Sequence, residues 1–271
     1  MRRREVFVES VGVIGPGFAN WREFETVLGG SNPLPSTWAL TTSPPCLPAN
    51  ERRRAGLPVR LALAVGQQAV AAAGRDPATL ATVFSSSGGD GDNCHALCEA
   101  LAGDDRQISP TRFHNSVHNA PSGYWGIAMG ATASSTSVCA YDASFSAGLL
   151  EAAVQVEGSG NPCLLVAYDV PYPFPMSRCR DLGGVLAIAL VLVPGPGERT
   201  RNQLTLGFGR GACTEMEHPD LERLRRHIPA ARGLPLLQAL THSEPSRVVL
   251  EYLDPLRLIV EVCQCPSTVA G

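Results

Sequence analysis

The sequence predicts an α/β fold, in which strands and helices alternate along the chain. Residues 162–170 and 183–194 are continuous apolar runs bounded by Gly and Pro, a pattern typical of strands buried on both faces of a sheet. An Ala-rich stretch before residue 74 favours a helix. Residues 130–156 read as a short apolar strand followed by an Ala/Leu-rich helix. The chain of 271 residues, 44% of them hydrophobic, is long enough for one large domain with a sizeable core.

The strand-to-helix turn within residues 130–156 is the first candidate for a functional site. Such a turn exposes the residue at its corner, and the following helix directs N–H groups and a positive dipole end toward it. This setting suits a thiolate. Asp142 lies in this turn, and because Asp favours helix N-caps, it could also serve as a cap for the free N–H groups.

Five segments, taken in order, resemble the β-ketoacyl synthase family of the thiolase superfamily. They are VFVESVGVIGPGFANWREFETVLGG (6–30), LPANERRRAGLPVRLALAVGQQAVAAAG (47–74), DPATLATVFSSSGGDGDNCHALCEAL (76–101), ISPTRFHNSVHNAPSGYWGIAMG (108–130) and GATASSTSVCAYDASFSAGLLEAAVQV (130–156). The first segment is similar to the family's first strand, glycine turn and helix, and the second to its basic segment and Ala-rich helix. The third is similar to a strand, Ser/Gly turn and helix. The fourth is similar to the stretch before the nucleophile strand, and the fifth to the nucleophile turn. The resemblance implies a thiolase-like layered α-β-α fold.

The same resemblance identifies Asp142 as the residue at the nucleophile position, since Val138, Ser144 and Ala152 fit the family pattern around it. A carboxylate stores an acyl group poorly compared with the thioester that an activated thiolate forms. We therefore expect no condensation chemistry. An alternative shifts the register by three residues and makes Cys139 the nucleophile. Because that shift puts Tyr141 where the family has a small residue, a buried Cys139 is the preferred interpretation.

The resemblance covers residues 5–212 and fades after residue 213. The LTLGFGRGA run (204–212) predicts another strand, and its glycine spacing is only a weak match to a phosphate loop. Residues 213–271 are predicted as a divergent helical stretch and a β-hairpin around an Asp-Pro turn. The two histidine segments of a complete ketosynthase, His-x-Gly-Thr-Gly-Thr and Asn-x-Phe-Gly-Phe-Gly-Gly, do not occur in this sequence. We therefore expect a truncated version of the fold, as a single domain over residues 1–271.

Several other side chains are candidates for the site. His114 and His118 have helical spacing, but the prolines at 110 and 121 favour a loop. A structural role is preferred for both histidines, and a role near the site, at an interface or tunnel, is the alternative. Tyr141, Phe145 and Tyr172 are candidates for an interface or an acyl tunnel, and core packing explains them equally well.

The nine cysteines are expected to be reduced and mostly buried. Cys94, His95 and Cys98 share one helical turn, and Cys263 and Cys265 lie two apart. Neither spacing matches a complete zinc framework, so core packing is preferred and no metal or cofactor is expected.

The charge pattern excludes several functions. All 22 basic residues are arginine, which excludes a Schiff-base lysine. A net charge of −3 gives no reason to expect nucleic acid as a partner. The ERRR run (51–54) could contact an acidic acyl carrier protein, although a solvated surface is the commoner meaning of such runs.

No apolar run is long enough to span a membrane and MRRR precedes no signal-peptide core, so a cytoplasmic location is expected.

The resemblance implies a function as a non-catalytic partner of a full-length β-ketoacyl synthase. The chain is similar to the short chain-length-factor-like proteins of aryl polyene biosynthesis, which would complete a heterodimer and shape the acyl tunnel. Thiolase-type synthases form two-fold dimers, so a degenerate copy can pair with an active one. Two alternatives remain open: an acyltransferase or decarboxylase that uses Cys139, and a self-associating scaffold.

Overall fold

The computed structural model describes residues 3–30, 32–35 and 46–265. The strands are β1 (Arg4–Ile14), β2 (Ala81–Ser85), β3 (Ser135–Val138), β4 (Cys163–Asp169), β5 (Leu186–Val193), β6 (Asn202–Gly209), β7 (Ser246–Glu251) and β8 (Arg257–Gln264). The helices are α1 (Trp21–Leu28), α2 (Ala49–Arg54), α3 (Leu57–Ala73), α4 (Gly91–Ala102), α5 (Pro110–His114), α6 (Ala120–Met129), α7 (Ser144–Ser159), α8 (Met176–Cys179), α9 (Pro219–His227) and α10 (Leu234–Ala239). Short 3₁₀ helices lie at Pro77–Thr79, Tyr141–Ala143 and Pro229–Gly233. The first two residues of MRRR and the end of the predicted C-terminal segment, residues 266–271, lie outside the described residues.

One sheet of eight strands has the order β3-β2-β4-β5-β1-β6-β8-β7. Strands β3, β2 and β4 are parallel, and the other neighbouring pairs are antiparallel. Every residue of β4 and β5 is buried, which confirms the prediction made from their continuous apolar sequences. Strands β7 and β8 pair around a turn at Asp254, where the sequence predicts a hairpin.

Helix α3 covers one face of the sheet, against β1, β4 and β5. The helix has Pro58 in its first turn and ends at Gly74, whose φ of 64° is left-handed; both are favoured at those positions. The fully buried ring of Trp125, from α6, belongs to the same layer.

Helix α7 covers the other face, together with α9, α10 and the 3₁₀ helix at Pro229–Gly233. The helix approaches the sheet closely at Gly148, where a Cβ atom would lie 2.8 Å from that of Ser85. Each large apolar side chain buried in these two layers contributes about 1.5–3 kcal/mol. Because helices cover both faces of the sheet, the predicted layered α-β-α arrangement is confirmed. Among the described residues, no helix is long and apolar enough to cross a lipid bilayer.

Candidate functional site

The carboxyl ends of the parallel strands β3, β2 and β4 meet at one edge of the sheet. β2 continues into a Ser-Gly turn, β3 leads through Cys139 into the short 3₁₀ helix Tyr141–Ala143, and β4 ends at Asp169. We call the stretch from Cys139 to Ser144, between β3 and α7, the corner. In open α/β sheets this end of the strands is where functional groups collect.

The backbone of the corner is strained at Tyr141, whose φ of 52° lies in the left-handed region. Bulky side chains rarely adopt this conformation, which persists only where the surroundings impose it. Here the Oγ of Ser144 donates to the Tyr141 carbonyl at 2.7 Å and accepts from the Ala140 N–H at 3.1 Å. The strained turn is therefore fixed by the first residue of α7. The Tyr141 side chain itself is 62% exposed.

Asp142 binds two arginines from distant parts of the chain. Its Oδ1 lies 2.5 Å from Nη2 of Arg180, and its Oδ2 lies 3.3 Å from Nη2 of Arg232. The position that caps α7 is Ala143, and no side chain makes a capping hydrogen bond there. The interpretation of Asp142 as an N-cap is therefore wrong, because its carboxylate is turned to the arginines.

Arg232 connects the corner to the C-terminal segment. Its side chain is only 12% exposed, and it also forms an ion pair with Glu251 of β7. Burial lowers the pKa of Arg232 from its ordinary value. Glu251 in turn lies 3.6 Å from Arg225 of α9, which binds Glu222 at 2.7 Å. Hydrogen bonds from Arg225 lower the pKa of Glu222 to about 2. A chain of ion pairs thus extends from the corner to α9.

Asp169 is a buried link between three segments. Its Oδ1 accepts from the N–H and hydroxyl of Ser87 at 2.8 and 2.7 Å and from the Ser86 hydroxyl at 3.2 Å. Its Oδ2 accepts from the Ala230 N–H at 2.9 Å. Burial nevertheless raises the pKa of Asp169 to about 6. The carboxyl group joins the turn after β2, the end of β4 and the C-terminal segment.

Cys139 and His118 both contact the turn after β2. The Cys139 thiol donates to the Ser87 carbonyl at 3.4 Å, and the His118 Nε2 lies 3.0 Å from the Ser86 carbonyl. Cys139 is exposed, so the prediction that it is buried is wrong. His118 is half-buried beside the corner. His114 is exposed at the last residue of α5. Pro110 and Pro121 lie in the first turns of α5 and α6, so these prolines start helices.

The three aromatic candidates have different surroundings. Tyr141 is exposed, and Tyr172 is half-buried with its hydroxyl against Gly88. Phe145 is fully buried, with its ring against Gly233. Core packing, the alternative given for all three, therefore holds for Phe145, which cannot present its ring on the surface.

The other cysteines were predicted to be mostly buried, and this is wrong. All nine lie within the described residues and none forms a disulfide. Only Cys163 is buried, and burial raises its thiol pKa to about 12. The exposed ones besides Cys139 are Cys94, Cys98, Cys179 and Cys263. Among residues 3–30, 32–35 and 46–265, no three potential metal ligands lie together.

The arginines of the 51–54 run lie on the exposed surface of α2.

Sequence reasoning missed Arg180, Arg232 and Asp169. Asp169 carried a detectable signal, because it is the one acidic residue in the apolar run 162–170, and a buried charge requires partners. Arg232 carried the same kind of signal, because it is the one charged residue in the apolar run 228–237. Arg180 carried none, since it occurs in a polar stretch.

A family model described as the N-terminal domain of β-ketoacyl synthase matches residues 22–249. No curated protein sequence matches the chain. Several solved structures share its fold. One is "Ketosynthase (ApeO) in Complex with its Chain Length Factor (ApeC)" from Xenorhabdus doucetiae, with a TM-score of 0.72 and 22% identity over 94% of this chain and 98% of that one.

Two further solved structures belong to similar assemblies. The complex AntDE:AntF, a type II acyl carrier protein with its hexaketide-bound ketosynthase, gives a TM-score of 0.76 at 13% identity, over 97% of this chain and 100% of that one. The ishigamide ketosynthase/chain length factor gives 0.69 at 12% identity, over 97% and 100%. At these identities the likeness concerns the fold alone, and it confirms the prediction of a thiolase-like ketosynthase fold.

Proposed function

The chain belongs to the β-ketoacyl synthase N-terminal domain family, and we propose that it is the non-catalytic, chain-length-factor-like partner of a full-length β-ketoacyl synthase. In this role it completes a heterodimer and bounds the growing acyl chain. The observation that carries the proposal is the state of Asp142, whose carboxylate is bound by Arg180 and Arg232.

The chemistry of Asp142 supports a non-catalytic role. A nucleophile must be free to attack, and both oxygens of this carboxylate are already engaged by guanidinium groups. Such charge-assisted contacts are among the stronger hydrogen bonds in proteins. The mixed anhydride that a carboxylate would form is also a poor acyl store. The corner therefore keeps the shape of a nucleophile turn while its key group has a structural task.

The edge of the sheet supports a partner role. Strand β3, which leads into the corner, is the first strand in the sheet order, and among the described residues no strand pairs with its outer side. An edge strand offers unpaired N–H and C=O groups to another chain. Pairing there would place the partner beside the corner.

The solved complexes indicate which partner to test. Two of the similar structures contain a ketosynthase with its chain length factor, and one contains an acyl carrier protein with its ketosynthase. We extend this to the present chain as a ketosynthase heterodimer in polyketide-type synthesis. The sequence resemblance favours the aryl polyene type. The acyl carrier protein is then a transient third partner.

The test is co-expression with the ketosynthase encoded nearest to this chain, followed by size-exclusion chromatography and an elongation assay. We expect a one-to-one complex whose activity is lost when the ketosynthase cysteine is replaced and is retained in the Cys139→Ala variant of this chain. A stable homodimer that ignores the ketosynthase would instead identify a self-associating scaffold.

One observation favours a second candidate, a catalyst that uses Cys139. The thiol is exposed, and it and His118 contact adjacent carbonyls of the turn after β2. Against this, the thiol donates to the Ser87 carbonyl, a contact that only the protonated form makes. Incubation with acyl and malonyl thioesters, followed by intact-mass measurement, discriminates the two. An adduct that disappears in Cys139→Ala would establish the catalyst and overturn our proposal.

A further inference from the structure

Two arginines on the connection between β4 and β5 lie against aromatic rings. The guanidinium carbon of Arg180 lies 3.7 Å from the ring centroid of Tyr141, and that of Arg178 lies 5.2 Å from the ring centroid of Phe174. These distances are in the range of cation–π contacts. Both rings are exposed, Tyr141 by 62% and Phe174 by 64%.

The two stacks belong to one compact surface. The Arg180 N–H donates to the Met176 carbonyl at 3.0 Å and the Arg178 N–H to the Pro175 carbonyl at 3.1 Å, so a single turn holds both arginines. Met176 is itself 46% exposed. We call this surface the corner patch; it consists of Tyr141, Phe174, Met176, Arg178 and Arg180.

The residue types of the corner patch are those that concentrate at protein interfaces. Aromatic residues, Met and Arg are enriched at the centre of interfaces, and Tyr and Arg dominate the positions at which truncation costs most affinity. Because the stacks and the turn already hold these side chains, little rotamer freedom is lost on binding. A solvated surface needs neither exposed aromatic rings nor their fixation.

From these contacts we infer that the corner patch is the surface that binds the ketosynthase partner, with Tyr141 at its centre and Asp142 as its positioning residue. The inference rests on the proposed function. The Arg180 guanidinium group contacts both the Asp142 carboxylate and the Tyr141 ring. The carboxylate thus fixes the guanidinium group that supports the ring.

The charges of the patch define the complementary surface. Arg178 has no ion pair among the described residues, whereas Arg180 is paired with Asp142. The partner surface therefore consists of an apolar hollow for Tyr141 and Phe174, bordered by a carboxylate opposite Arg178. A second copy of this chain fits less well, because its own patch repeats the positive charge of Arg178.

The test is the dissociation constant of the complex with the co-expressed ketosynthase, measured for full-length variants. We expect Tyr141→Ala and Arg180→Ala each to weaken binding at least tenfold. Two control variants are expected to stay within twofold of the wild type. Val154→Ala removes an apolar side chain that is 39% exposed, ten residues into α7, and Arg3→Ala removes an exposed arginine paired with Glu261.

A second variant separates binding from folding. Tyr141→Gly removes the ring but permits the left-handed φ, so its thermal midpoint is expected to be at least that of Tyr141→Ala while its affinity is equally low. For Asp142, the double variant Asp142→Asn/Tyr141→Ala is expected to bind no more weakly than Tyr141→Ala alone, because the carboxylate acts through the ring.

The outcomes distinguish failure of the corner patch from failure of the proposed function. Wild-type affinity in Tyr141→Ala would refute the corner patch and leave the proposed function intact. If the losses of affinity in Asp142→Asn and Tyr141→Ala add up in the double variant, the positioning role of Asp142 is refuted. Absence of a complex with the wild-type chain would refute the proposed partner as well. Loss of self-association in variants that still bind the ketosynthase would refute the corner patch alone.

Discussion

The Oδ1 atom of Asp142 lies 2.5 Å from Nη2 of Arg180, a residue 38 positions further along the chain. The contact brings the connection after β4 onto the turn before α7. Its carboxylate is 42% exposed and its guanidinium group 19% exposed, so water screens the pair only in part. The corner is therefore held by tertiary contacts as well as by the local hydrogen bonds of Ser144.

Asp142→Asn is expected to lower the free energy of unfolding by about 1–2 kcal/mol, because a neutral amide leaves the mostly buried Arg232 with one anionic partner fewer. Urea unfolding measures the change. The matched control is Asp254→Asn, since Asp254 is also paired with an arginine, at 2.9 Å, but is 84% exposed; it should change stability by less than about 0.5 kcal/mol. Equal losses in the two variants would contradict this account.

Asp142→Cys is expected to give an unusually reactive thiol. Arginines and a helix start both favour a thiolate, and the new side chain would lie between Arg180 and Arg232 at the start of α7. Alkylation at pH 6, followed by peptide mass spectrometry, should modify residue 142 faster than Cys139 of the same molecule. Cys139 is the internal control because it is exposed three residues earlier. Equal rates would show that the arginines do not act on this position.

Asp169 predicts a pH dependence of stability. Burial raises its pKa from 3.8 to about 6 in the folded chain, so the folded state holds the proton more tightly than the unfolded state. Its contribution is then fully present below about pH 4 and is lost as the pH rises through about 6, a difference of about 3 kcal/mol.

The Asp169→Asn variant isolates this contribution. The amide does not titrate, so the stability difference between wild type and variant should change between pH 4 and pH 7, in favour of the wild type at pH 4. Urea unfolding at several pH values measures it. A difference that stays constant over this range would show that Asp169 is ionised throughout, through its four hydrogen bonds.

Two glycines of α7 offer a matched comparison. In Gly148→Ala the new methyl group would lie 2.8 Å from the Ser85 Cβ and 3.0 Å from Leu165 Cδ1, so a loss of about 1–3 kcal/mol is expected from overpacking. In Gly158→Ala the methyl group meets no atom within 4 Å, so a gain of about 0.5–1 kcal/mol is expected from helix propensity. Thermal unfolding of both variants checks the opposite signs.

The order of strands and helices could be predicted because it depends on local patterns. The apolar runs of β4 and β5 and the Ala-rich sequence of α3 each carry their own signal within a few turns of chain. The pairing of Asp142 with Arg180 and Arg232 could not be predicted in this way. Contacts between charged residues far apart in sequence leave no periodic trace.

The prediction about cysteines failed for a different reason. It relied on the general tendency of free cysteine to be buried, and that tendency is overridden by the position of each residue. Cys94 and Cys98 lie on α4, in which only Gly91 and Asn93 are buried, so their thiols face outward. The chemistry of the corner could likewise be predicted only in part. Asp142 could be identified from its sequence neighbours, but its partners could not.

The hydrogen bond from Ala230 to Asp169 joins residues 61 positions apart, and this separation sets a sequence of events during translation. When β4 leaves the ribosome, the residues that bind Asp169 from the C-terminal side have not yet been made. A nascent chain halted at this point exposes the β3 edge and a corner that still lacks its C-terminal partners. Assembly with another subunit on the polysome would therefore begin before the C-terminal contacts of the corner exist.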